Sequence, residues 1–313
     1  MKSQNSINRI LVTGGAGFLG SHITNLLIKE GNDVVVLDNL SRGHKNAVNP
    51  KAKLVVGDIS DPAKTQEALS GVDAVIHMAG LIIVPESVKY PELYVKTNVL
   101  GSVNLLDCMV KKNVKKIIFS SSACVYGEPK NLPITEEEPL HPDNPYGASK
   151  ASVEAYLQTY YANHGFDVTI LRYFNPYGPG EQHEPETHAI PNFIKAALAK
   201  RSIPLYWKGE QVRDFIYVED LVRSHTQVLG LKGFNIFNVG TETGNKVIDV
   251  VGQIFQILGY EVSVDDLGER KGDVMANYAS SAKLEKAVGW KAQVGLKEGL
   301  AKTIDFFKAT HGN

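Results

Sequence analysis

The sequence is poor in the features that mark several specialised classes of protein. It has only two cysteines in 313 residues, Cys108 and Cys124, and their spacing matches neither a disulfide framework nor a metal-ligand motif. No apolar run approaches the roughly 20 residues needed to span a bilayer. The polar start of the chain lacks the hydrophobic core of a signal peptide. We therefore expect a cytoplasmic protein with no membrane partner and no metal.

The charge balance excludes a further class of partners. The chain has 33 Lys and Arg residues against 34 Asp and Glu residues, and the two signs are interspersed. Nucleic-acid-binding proteins carry a basic patch, which this sequence lacks, so no nucleic-acid partner is expected. With 43% hydrophobic and 21% charged residues, the chain has the composition of a globular protein. It is long enough for one large α/β domain and a smaller companion.

Short β-branched segments alternate with helical patterns over the first two-thirds of the chain, as in a parallel sheet flanked by helices. The predicted strands are Arg9–Thr13, Asp33–Leu37, Lys53–Val56, Ala74–His77, Lys116–Ser120 and Asp167–Arg172. The predicted helices are Phe18–Lys29, Pro62–Leu69, Pro91–Lys112 and Tyr146–His164. The strands are apolar without strict alternation, which favours a doubly wound sheet covered by helices on both faces.

After Asn175 the pattern becomes irregular, with an extended loop and then short elements. The elements predicted in this part are a helix at Pro191–Lys200 and strands near Leu205, near Phe215 and at Phe234–Val239. We therefore predict a main domain over residues 1–175, to which later segments such as 212–240 return. A smaller, interleaved C-terminal domain is predicted over residues 176–313.

A glycine-rich turn, TGGAGFLG at 13–20, connects the first predicted strand to the first predicted helix. In a dinucleotide-binding turn its glycines permit the tight bend, the approach of the backbone to a pyrophosphate and close helix–strand packing. Asp38 ends the second strand, where a carboxylate binds the ribose hydroxyls and repels a 2′-phosphate. This favours NAD over NADP, although Arg42 nearby works against the preference. The sequence thus predicts a Rossmann-type fold that binds NAD.

Two further strand ends border this predicted site. Asp58 follows the third strand, where its carboxylate either binds the adenine amino group or caps the next helix. The segment HMAG at 77–80 closes the fourth strand with small residues, over which a dinucleotide can lie. His77 itself is predicted to be a packed core histidine and not a catalytic group.

A candidate catalytic set comes from the fifth strand and the helix that follows it. The strand ends in Ser120, Ser121 and Ser122, at the position where α/β sheets place reactive groups. Tyr146 and Lys150 are spaced i and i+4, so both side chains lie on one face of a helix. A free tyrosine has a pKa of about 10, but a nearby ammonium and a positive nicotinamide ring both favour its phenolate. We expect a lowered pKa for Tyr146, which would act as the base while Ser122 binds the reacting hydroxyl.

The motifs together resemble one family along nearly the whole chain. They are TGGAGFLG at 13–20, DNLSRG at 38–43, HMAG at 77–80, SSSACVYG at 120–127, YGASK at 146–150, RYFNPYGP at 172–179, RDFIYVED at 213–220 and ERKGD at 269–273. On these residues the sequence resembles the extended short-chain dehydrogenase/reductase family, in particular UDP-glucose 4-epimerases and related nucleotide-sugar epimerases. The resemblance implies an NAD-dependent isomerase of carbohydrate metabolism. Such an enzyme inverts C4 of a UDP-hexose, interconverting UDP-glucose and UDP-galactose through a transient 4-keto intermediate.

The resemblance also implies roles for residues at matching positions. The implied catalytic residues are Ser122, Tyr146 and Lys150. The implied cofactor-binding residues are Gly14, Gly17, Phe18, Leu19, Gly20, Asp38, Asn39, Ser41, Arg42, Asp58, Ile59, Met78, Ala79, Gly80, Asn98, Ser120, Tyr146, Lys150 and Tyr173. The implied substrate-binding residues are Ser122, Cys124, Tyr146, Asn175, Phe193, Leu205, Tyr206, Arg213, Arg270 and Asn277.

Within this substrate set, Arg213 and Arg270 match two arginines that clamp the diphosphate, and guanidinium groups suit bidentate phosphate binding. A substrate held by its diphosphate leaves the hexose free to rotate during epimerisation. Two alternatives stay open: Arg213 could instead form a surface ion pair, because Asp214 follows it, and Phe193 could instead be a core aromatic.

Related reactions provide alternative functions. Sugar-nucleotide dehydratases and decarboxylases carry an acidic residue where this sequence has Ala123 and Cys124, so dehydration is disfavoured. GDP-fucose synthases resemble the sequence at Cys124, but they prefer NADP, which Asp38 disfavours; Cys124 is predicted to be a wall of the substrate pocket. UDP-glucuronate 4-epimerase is a further alternative. A catalytically silent NAD-sensing module is the alternative outside enzymes, and the intact Ser/Tyr/Lys set opposes it.

Three details refine the expected properties. Asn277 falls where glucose-restricted epimerases carry a bulky tyrosine, so the 2-acetamido sugars UDP-GlcNAc and UDP-GalNAc are expected to fit as well. Tyr278 beside it would restore the block if the match shifted by one residue. Ile82 replaces a cofactor-contacting lysine of some relatives, which predicts weaker retention of NAD. The resemblance also implies a homodimer with a four-helix interface formed by Pro91–Lys112 and Tyr146–His164.

Overall fold

The computed structural model describes residues 7–181, 188–269 and 274–311 of the chain. They divide into two compact units, each assembled from separate stretches of sequence. The first unit comprises the residues up to Gly127, Leu140–Arg172 and Val222–Phe237. The second comprises Glu128–Pro139, Tyr173–Leu221 and the residues from Asn238 onward.

The strands of the described residues are β1 (Arg9–Thr13), β2 (Asp33–Asp38), β3 (Lys53–Val56), β4 (Ala74–His77), β5 (Lys116–Ser122), β6 (Asp167–Tyr173), β7 (Asn175–Tyr177), β8 (Ile203–Leu205), β9 (Val212–Arg213), β10 (Phe215–Tyr217), β11 (Phe234–Val239), β12 (Asn245–Lys246), β13 (Val264–Asp266) and β14 (Ala276–Asn277). The six strands predicted in the first two-thirds of the chain are present, as are Phe234–Val239 and the short strands at Leu205 and Phe215. β2, β5 and β6 extend one or two residues beyond their predicted ends.

The helices are α1 (Phe18–Lys29), α2 (Pro62–Ala68), α3 (Val84–Lys89), α4 (Pro91–Tyr94), α5 (Gly101–Lys111), α6 (Pro145–His164), α7 (Ala189–Leu198), α8 (Val218–Val228), α9 (Val247–Leu258), α10 (Ala282–Val288) and α11 (Leu296–His311). Short 3₁₀ turns lie at Lys45–Ala47, Ala123–Val125 and Trp207–Gly209. None of the helices in the described part of the chain combines the length and the hydropathy of a membrane span.

The main sheet has the strand order β11-β6-β5-β4-β1-β2-β3. β1 pairs in parallel with β2 on one side and with β4 on the other, and β4 pairs in parallel with β5. Ile10, Leu11 and Val12 are each 0% exposed, so both faces of the central strand are covered. The Rossmann-type doubly wound fold is therefore confirmed. The strand order reverses between β1 and β4, and in such sheets ligands bind beyond the carboxyl ends of the strands at this point.

Apolar side chains attach the helices to this sheet. Leu105 of α5 and Leu157 of α6 join Val75 and Ile117 of the strands in one buried cluster. Each fully buried aliphatic side chain contributes about 1.5–3 kcal/mol relative to an exposed one. The cluster therefore holds α5 and α6 firmly against β4 and β5, and β5 carries the candidate catalytic Ser122 at its carboxyl end.

The predicted helix Pro91–Lys112 is interrupted. A π-helical segment, Val95–Leu100, separates the short α-helix α4 from α5, and α5 ends at Lys111. π-Helical turns are rare and occur mainly at functional sites, because the extra residue per turn moves side chains to new angles. Here the segment contains Asn98, one of the predicted cofactor-site residues.

The second unit has more regular structure than its sequence predicted. Its strands form three small sheets, β12-β9-β14, β13-β8 and β10-β7. The predicted helix Pro191–Lys200 begins earlier, as α7 at Ala189, and ends at Leu198. Trp290 is 1% exposed and its indole nitrogen donates to the Asp220 carbonyl at 3.0 Å, which anchors the chain between α10 and α11.

The start of α2 corrects one of the two alternatives for Asp58. The helix N-cap is Asp61, whose carboxylate accepts hydrogen bonds from the Ala63 and Lys64 backbone N–H groups at 2.8 and 3.3 Å. Asp58 instead accepts from Ser60 N at 2.8 Å in the preceding turn. The capping alternative for Asp58 was wrong because Pro62 occupies the first helical position, which places the N-cap immediately before it.

We expect Asp61→Ala to lower the free energy of unfolding by about 1 kcal/mol, because two N–H groups at the start of α2 lose their acceptor. Urea denaturation measures the change. The matched control is Glu67→Ala in the same helix, whose ion pair with Lys64 is exposed and contributes about 0–1 kcal/mol. An equal or larger loss for Glu67→Ala would contradict the capping role of Asp61.

Candidate active site

The glycine turn after β1 leaves no room for side chains at two of its positions. Gly14 has φ +72°, and a Cβ there would lie 2.8 Å from Ala79 N. A Cβ on Gly20 would lie 2.1 Å from the Gly14 carbonyl oxygen. Both obstacles are backbone atoms, which cannot move without changing β1, β4 or α1. The turn therefore requires glycine at 14 and 20 for its own geometry.

The same turn presents the start of α1 to the carboxyl edge of the sheet. The N-cap residue is Gly17, which contributes no side-chain hydrogen bond to the first helical turn, where Phe18 and Leu19 follow. Backbone N–H groups and the helix dipole at such an end bind anions, above all phosphate. The glycine cradle and this helix start fit the pyrophosphate of a dinucleotide.

Asp38 stabilises two loops, a role that its position in the sequence did not predict. It is 8% exposed, and its carboxylate accepts hydrogen bonds from Ala16 N at 3.0 Å and Leu40 N at 2.8 Å. One bond reaches into the glycine turn and the other shapes the loop after β2. Each carboxylate oxygen can accept a second hydrogen bond, so the predicted contact with ribose hydroxyls stays compatible with this geometry.

The loop after β2 is organised by its own polar side chains. Asn39 Oδ1 accepts from Ser41 N at 3.0 Å, and Asn39 Nδ2 donates to Asp58 at 2.7 Å. Burial raises the pKa of Asp58, but hydrogen bonds from Ser60 and Asn39 outweigh it, so the net pKa is lowered and the group is a carboxylate. Asp58 therefore offers the acceptor that an adenine amino group requires. Its neighbour Ile59 is 5% exposed.

Arg42 is engaged by an acidic side chain. Its Nη2 lies 2.5 Å from Oε1 of Glu86 on α3. A guanidinium paired in this way is less available to a 2′-phosphate, so the one feature that opposed NAD in the sequence is weakened. Glu86 also accepts a hydrogen bond at 3.1 Å from the hydroxyl of the buried Tyr94, which fixes the carboxylate.

His77 is a core residue, as predicted. It is 1% exposed, with Nδ1 2.7 Å from Thr13 Oγ1 and Nε2 2.7 Å from Ser102 Oγ. Burial lowers its pKa to about 3, and Lys150 contributes in the same direction, so the ring is neutral. Thr13 Oγ1 also accepts from Met78 N and Ala79 N at 3.2 Å, which sets the backbone after β4.

The side-chain amide of Asn98 binds the segment that follows β4. Its Oδ1 accepts from Leu81 N at 2.8 Å, and its Nδ2 donates to the Leu81 carbonyl at 3.0 Å and to Ser149 Oγ at 2.9 Å. A Cβ on Gly80 would lie 3.1 Å from Asn98 Oδ1. Asn98 thus joins the end of β4 to α6, and its predicted position near a cofactor stays a prediction.

The first unit brings Ser122, Tyr146 and Lys150 together. The Ser122 hydroxyl lies close enough to the Tyr146 phenol to lower the pKa of that phenol. Lys150 Nζ donates to the Ser120 carbonyl at 2.8 Å and lies 6.0 Å from the centre of the Tyr146 ring. Tyr146 and Lys150 are 9% and 3% exposed. The predicted catalytic set therefore consists of the buried Tyr146 and Lys150 and the half-buried Ser122, between β5 and α6.

The start of α6 explains why these groups meet. Asn144 is the N-cap and accepts from Gly147 N at 2.9 Å, with Pro145 in the first helical position. Tyr146 thus lies in the first turn of a 20-residue helix, where the helix dipole favours negative charge. Lys150 follows one turn later on the same face.

The protonation of the cluster differs from the expectation. Burial raises the pKa of Tyr146, and Cys124 adds to this, while the hydrogen bond with Ser122 works against it. Burial also lowers the pKa of Lys150 to about 8, with Glu154 opposing the change. The prediction that the pKa of Tyr146 is lowered was wrong for the protein by itself, because desolvation of the phenol dominates. A positive charge placed at the phenol would act in the opposite direction.

Gly147 is a site residue that the sequence analysis missed. A Cβ there would lie 2.3 Å from the Cys124 carbonyl oxygen and 3.1 Å from Pro142 Cβ. Cys124 N donates in turn to Ser122 Oγ at 3.2 Å, so this close approach of α6 to the turn positions the serine. The signal was present in YGASK, since glycine in a helix interior is unfavourable unless packing requires it.

The second unit contains most of the predicted substrate-binding residues. Asn175 begins β7, and its backbone and side-chain nitrogens both donate to the Asp214 carbonyl, at 2.9 and 3.1 Å. Arg213 donates to the carbonyls of Val212 at 2.9 Å and Val274 at 2.7 Å. Asp214 is 0% exposed and accepts from Thr241 and from Ala279 N. It therefore organises the backbone around Arg213.

The strands β9 and β14 clarify the position of Asn277. They pair in parallel with Arg213 opposite Asn277, so both side chains lie on one face. Asn277 Oδ1 is buried and has no hydrogen-bond partner within the described residues. A Cβ on Gly244 would lie 3.0 Å from Tyr278 Cδ1, which shows that Tyr278 packs against Gly244. The alternation of side chains along the strand places Tyr278 on the opposite face.

Gln211 was also missed by the sequence analysis. It is 5% exposed and directly precedes β9, two residues before Arg213. Its Oε1 is buried with no hydrogen-bond partner among the residues that the structure describes. A buried acceptor of this kind is costly unless a ligand supplies a donor. Only its distance of two residues from a predicted arginine could have suggested it.

The remaining predicted residues lie in several places. Phe193, Leu205 and Tyr173 are 5%, 2% and 5% exposed, and Tyr206 is half-buried. Phe193 thus belongs to the core of its unit, a position that suits either of its two predicted roles. Arg270 lies outside the described residues. No group of three His, Cys, Asp or Glu side chains suited to a metal occurs within the described residues.

Comparisons with known proteins agree with this geometry. The model of the NAD dependent epimerase/dehydratase family matches residues 10–240. The UDP-glucose 4-epimerase of Lactobacillus helveticus is 41% identical over 304 residues, covering 90% of this chain and 92% of the relative. The crystal structure of UDP-glucose 4-epimerase with UDP-glucose from Thermotoga maritima has a TM-score of 0.94 at 37% identity, covering 97% of this chain and 99% of that one.

A second solved structure is also similar to this chain. It is the UDP-N-acetylglucosamine 4-epimerase from Methanobrevibacter ruminantium M1, in complex with UDP-N-acetylmuramic acid. Its TM-score is 0.92 at 35% identity, and the match covers 98% of this chain and 100% of that one.

We expect Lys150→Met to remove a pH dependence from the urea resistance of the protein between about pH 8 and 10.5. The pKa of Lys150 falls from 10.5 to about 8 on folding, so the unfolded chain binds its proton more readily than the folded chain. Below pH 8 the cost is complete, and between about 8 and 10.5 it disappears as pH rises, because both states become neutral. Methionine binds no proton, so the unfolding free energy of the wild-type protein should rise relative to that of the variant between about pH 8 and 10.5.

The matched control is Lys112→Met, which changes an exposed lysine at the end of α5 and should leave the pH dependence unaltered. A Lys150→Met protein whose stability follows the wild-type pH profile would contradict the desolvation of the ammonium.

Proposed function

Because the chain belongs to the NAD-dependent epimerase/dehydratase family, we propose that it is a UDP-hexose 4-epimerase that interconverts UDP-glucose and UDP-galactose with NAD as cofactor. The family assignment confirms the resemblance to the extended short-chain dehydrogenase/reductases. The observation that carries the proposal is the cluster of Ser122 with the buried Tyr146 and Lys150 at the carboxyl end of β5. UDP-glucose 4-epimerases at 37–41% identity over most of the chain support this reaction over the alternatives.

The cofactor fits residues of the first unit. We propose that the glycine turn and the start of α1 bind the pyrophosphate, with Asp38 on the ribose and Asp58 on the adenine. Asp38 and the engagement of Arg42 by Glu86 support NAD over NADP. NAD supplies a reversible acceptor for the hydride that leaves C4 of the sugar. The fit rests on the backbone at Gly14 and Gly20, where any side chain would collide.

The chain's own residues would handle the proton. We propose that Tyr146 takes the proton of the sugar 4-hydroxyl while Ser122 holds that hydroxyl by a hydrogen bond. Burial raises the pKa of the Tyr146 phenol, and positive charge placed near the phenol favours the phenolate. The ammonium of Lys150 and the dipole at the start of α6 then stabilise the phenolate. The oxidised sugar presents its other face after rotation, and the same groups return the proton.

Residues of the second unit are proposed to hold the nucleotide sugar. Arg213 and Arg270 would bind the diphosphate, Asn175 would assist them, and Leu205 and Tyr206 would pack against the base. Binding energy placed in the nucleotide allows the hexose to turn, because little of the affinity then depends on sugar contacts. We accordingly propose that the first unit is the NAD-binding domain and the second the substrate domain.

We further propose that 2-acetamido sugars are substrates. Asn277 lies on the face of Arg213, Tyr278 lies on the opposite face, and the Asn277 amide oxygen is buried with no partner among described residues. The similarity to a UDP-N-acetylglucosamine 4-epimerase supports the same substrate range. An acetamido N–H is a donor of the kind that such a carbonyl oxygen accepts.

Exposed apolar residues support a homodimer in the cytoplasm. Leu93, Val95 and Leu100 of α4 and the π-helical segment are 41%, 51% and 57% exposed, and Tyr156 of α6 is 42% exposed. These elements coincide with the helices that the resemblance assigns to a dimer interface.

Both cysteines are free thiols, a state that the cytoplasm maintains.

The function is tested by incubating the NAD⁺-loaded protein with single UDP-sugars, without reductant, and identifying the products. We expect UDP-galactose to give UDP-glucose and UDP-N-acetylgalactosamine to give its epimer, with no net consumption of NAD⁺. Turnover of UDP-glucuronate alone or stoichiometric consumption of NADH would overturn the proposal in favour of the alternative enzymes. Tight NAD binding without any turnover would identify a sensing module.

Tyr146→Phe should lower kcat about 10²–10⁴-fold because it removes the proton acceptor. KM for UDP-galactose should stay nearly unchanged, since the nucleotide provides most of the affinity. The control is Tyr156→Phe, which alters an exposed phenol on the same helix and should retain activity. Full turnover by Tyr146→Phe would eliminate the mechanism.

We expect Leu100→Glu to convert the dimer into a monomer, because it places charge in the apolar interface. Light scattering after size-exclusion chromatography gives the mass. Leu140→Glu is the control, since Leu140 is 40% exposed but lies outside these helices. A monomeric wild-type protein, or a dimeric Leu100→Glu protein, would contradict this interface.

A further inference from the structure

A buried ion pair lies one helical turn beyond Lys150. Glu154 of α6 is 5% exposed and Arg172 of β6 is 3% exposed. Arg172 Nε lies 3.1 Å from Glu154 Oε1, and its Nη2 lies 2.6 Å from Oε2, which is a bidentate arrangement. Desolvating two charges is expensive, and well-packed apolar residues are often as stable. The pair therefore requires an explanation beyond stability.

Each partner of the ion pair has a further hydrogen bond, and both bonds reach the segment that carries Ser122. Ser121 Oγ donates to Glu154 Oε1 at 2.5 Å, and Arg172 Nη1 lies 2.9 Å from the Tyr126 hydroxyl. Ser121 directly precedes the catalytic serine, and Tyr126 ends the 3₁₀ turn that follows it. Both are 1% exposed, so water cannot replace either bond. The ion pair is thus attached to the chain on both sides of Ser122.

Glu154 also acts on the neighbouring lysine. It is spaced i+4 from Lys150, so the two side chains lie on the same face of α6. Burial lowers the pKa of Lys150, and Glu154 counteracts this, which favours the ammonium. The residue is therefore linked to Ser122 through hydrogen bonds and to Lys150 through charge.

We propose that Glu154 is a positioning residue of the epimerase reaction, which together with Arg172 fixes the turn at Ser122 so that its hydroxyl meets the Tyr146 phenol. This inference rests on the proposed function, because it concerns the groups that would transfer the proton. A small displacement of reacting groups reduces rates strongly. Substrate affinity is unaffected, since Glu154 contacts none of the residues proposed to bind the nucleotide sugar.

The test compares Glu154→Gln with a matched core variant. Glutamine keeps the size of Glu154 and an acceptor for Ser121, but it removes the charge. In the NAD⁺-loaded enzyme with UDP-galactose, we expect kcat to fall about 10- to 100-fold while KM changes by less than about twofold. The control is Val153→Ala, which opens the buried core one residue away on α6 and should leave kcat unchanged despite a lower Tm.

A second measurement tests the rigidity of the turn around Ser122 independently of enzymatic activity. Hydrogen–deuterium exchange of the segment 120–127 should be faster in Glu154→Gln than in Val153→Ala, although both variants are destabilised. Ser121→Ala removes one of the two attachments and should show a smaller effect of the same kind. The effects of Ser121→Ala and Glu154→Gln on kcat should be non-additive, because the two residues belong to one hydrogen-bonded network.

The outcomes separate the two proposals. If the wild-type protein turns over no UDP-sugar, the proposed function fails. Hydrogen–deuterium exchange of the segment 120–127 then still decides whether Glu154 fixes the turn at Ser122. If the wild-type protein is active and Glu154→Gln retains its kcat, the positioning role is overturned and the epimerase function stands. Exchange no faster than in Val153→Ala would also overturn it, leaving Glu154 as a purely structural residue.

Discussion

The geometry of the site depends on one buried hydrogen bond, from Lys150 Nζ to the Ser120 carbonyl. It joins α6 to the carboxyl end of β5 in a place from which water is excluded, so the ammonium relies on the protein for its solvation. The bond sets how close α6 approaches the turn after the strand. Ser122 and Tyr146 obtain their mutual distance from this approach. Chemistry at C4 of a sugar therefore begins with the way one helix is attached to one strand.

The sequence predicted those parts of the molecule whose signal is local. The bounds of β1 and α1 agree with the structure because glycines separate an apolar strand from an amphipathic helix. Tyr146 and Lys150 were identified from the i, i+4 spacing, which needs only a helix to bring the side chains together. His77 was recognised as a core residue because its strand is apolar on both sides. In each case the decisive neighbours lie within a few residues.

The features that escaped prediction depend on residues far apart in sequence. Glu154 and Arg172 are 18 residues apart, and Arg172 and Tyr126 are 46 apart, so no local pattern reveals the network. α9 begins at Val247 after Lys246, which provides no side-chain cap, and a start signal was therefore absent. The π-helical segment at Val95–Leu100 has the amino-acid composition of an ordinary helix, so the sequence did not reveal it. Desolvation of the Tyr146 phenol likewise follows from the three-dimensional packing alone.

The close contacts of Gly14 and Gly20 limit how this protein can diversify. Both positions are surrounded by main-chain atoms, so mutation there offers no graded adjustment, only an intact or a broken turn. Variation that tunes the binding of a nucleotide is easier in the loop from Asn39 to Arg42, where Asn39 and Arg42 contact the side chains of Asp58 and Glu86. Lineages of this fold would accordingly keep the glycine turn while the loop after β2 varies.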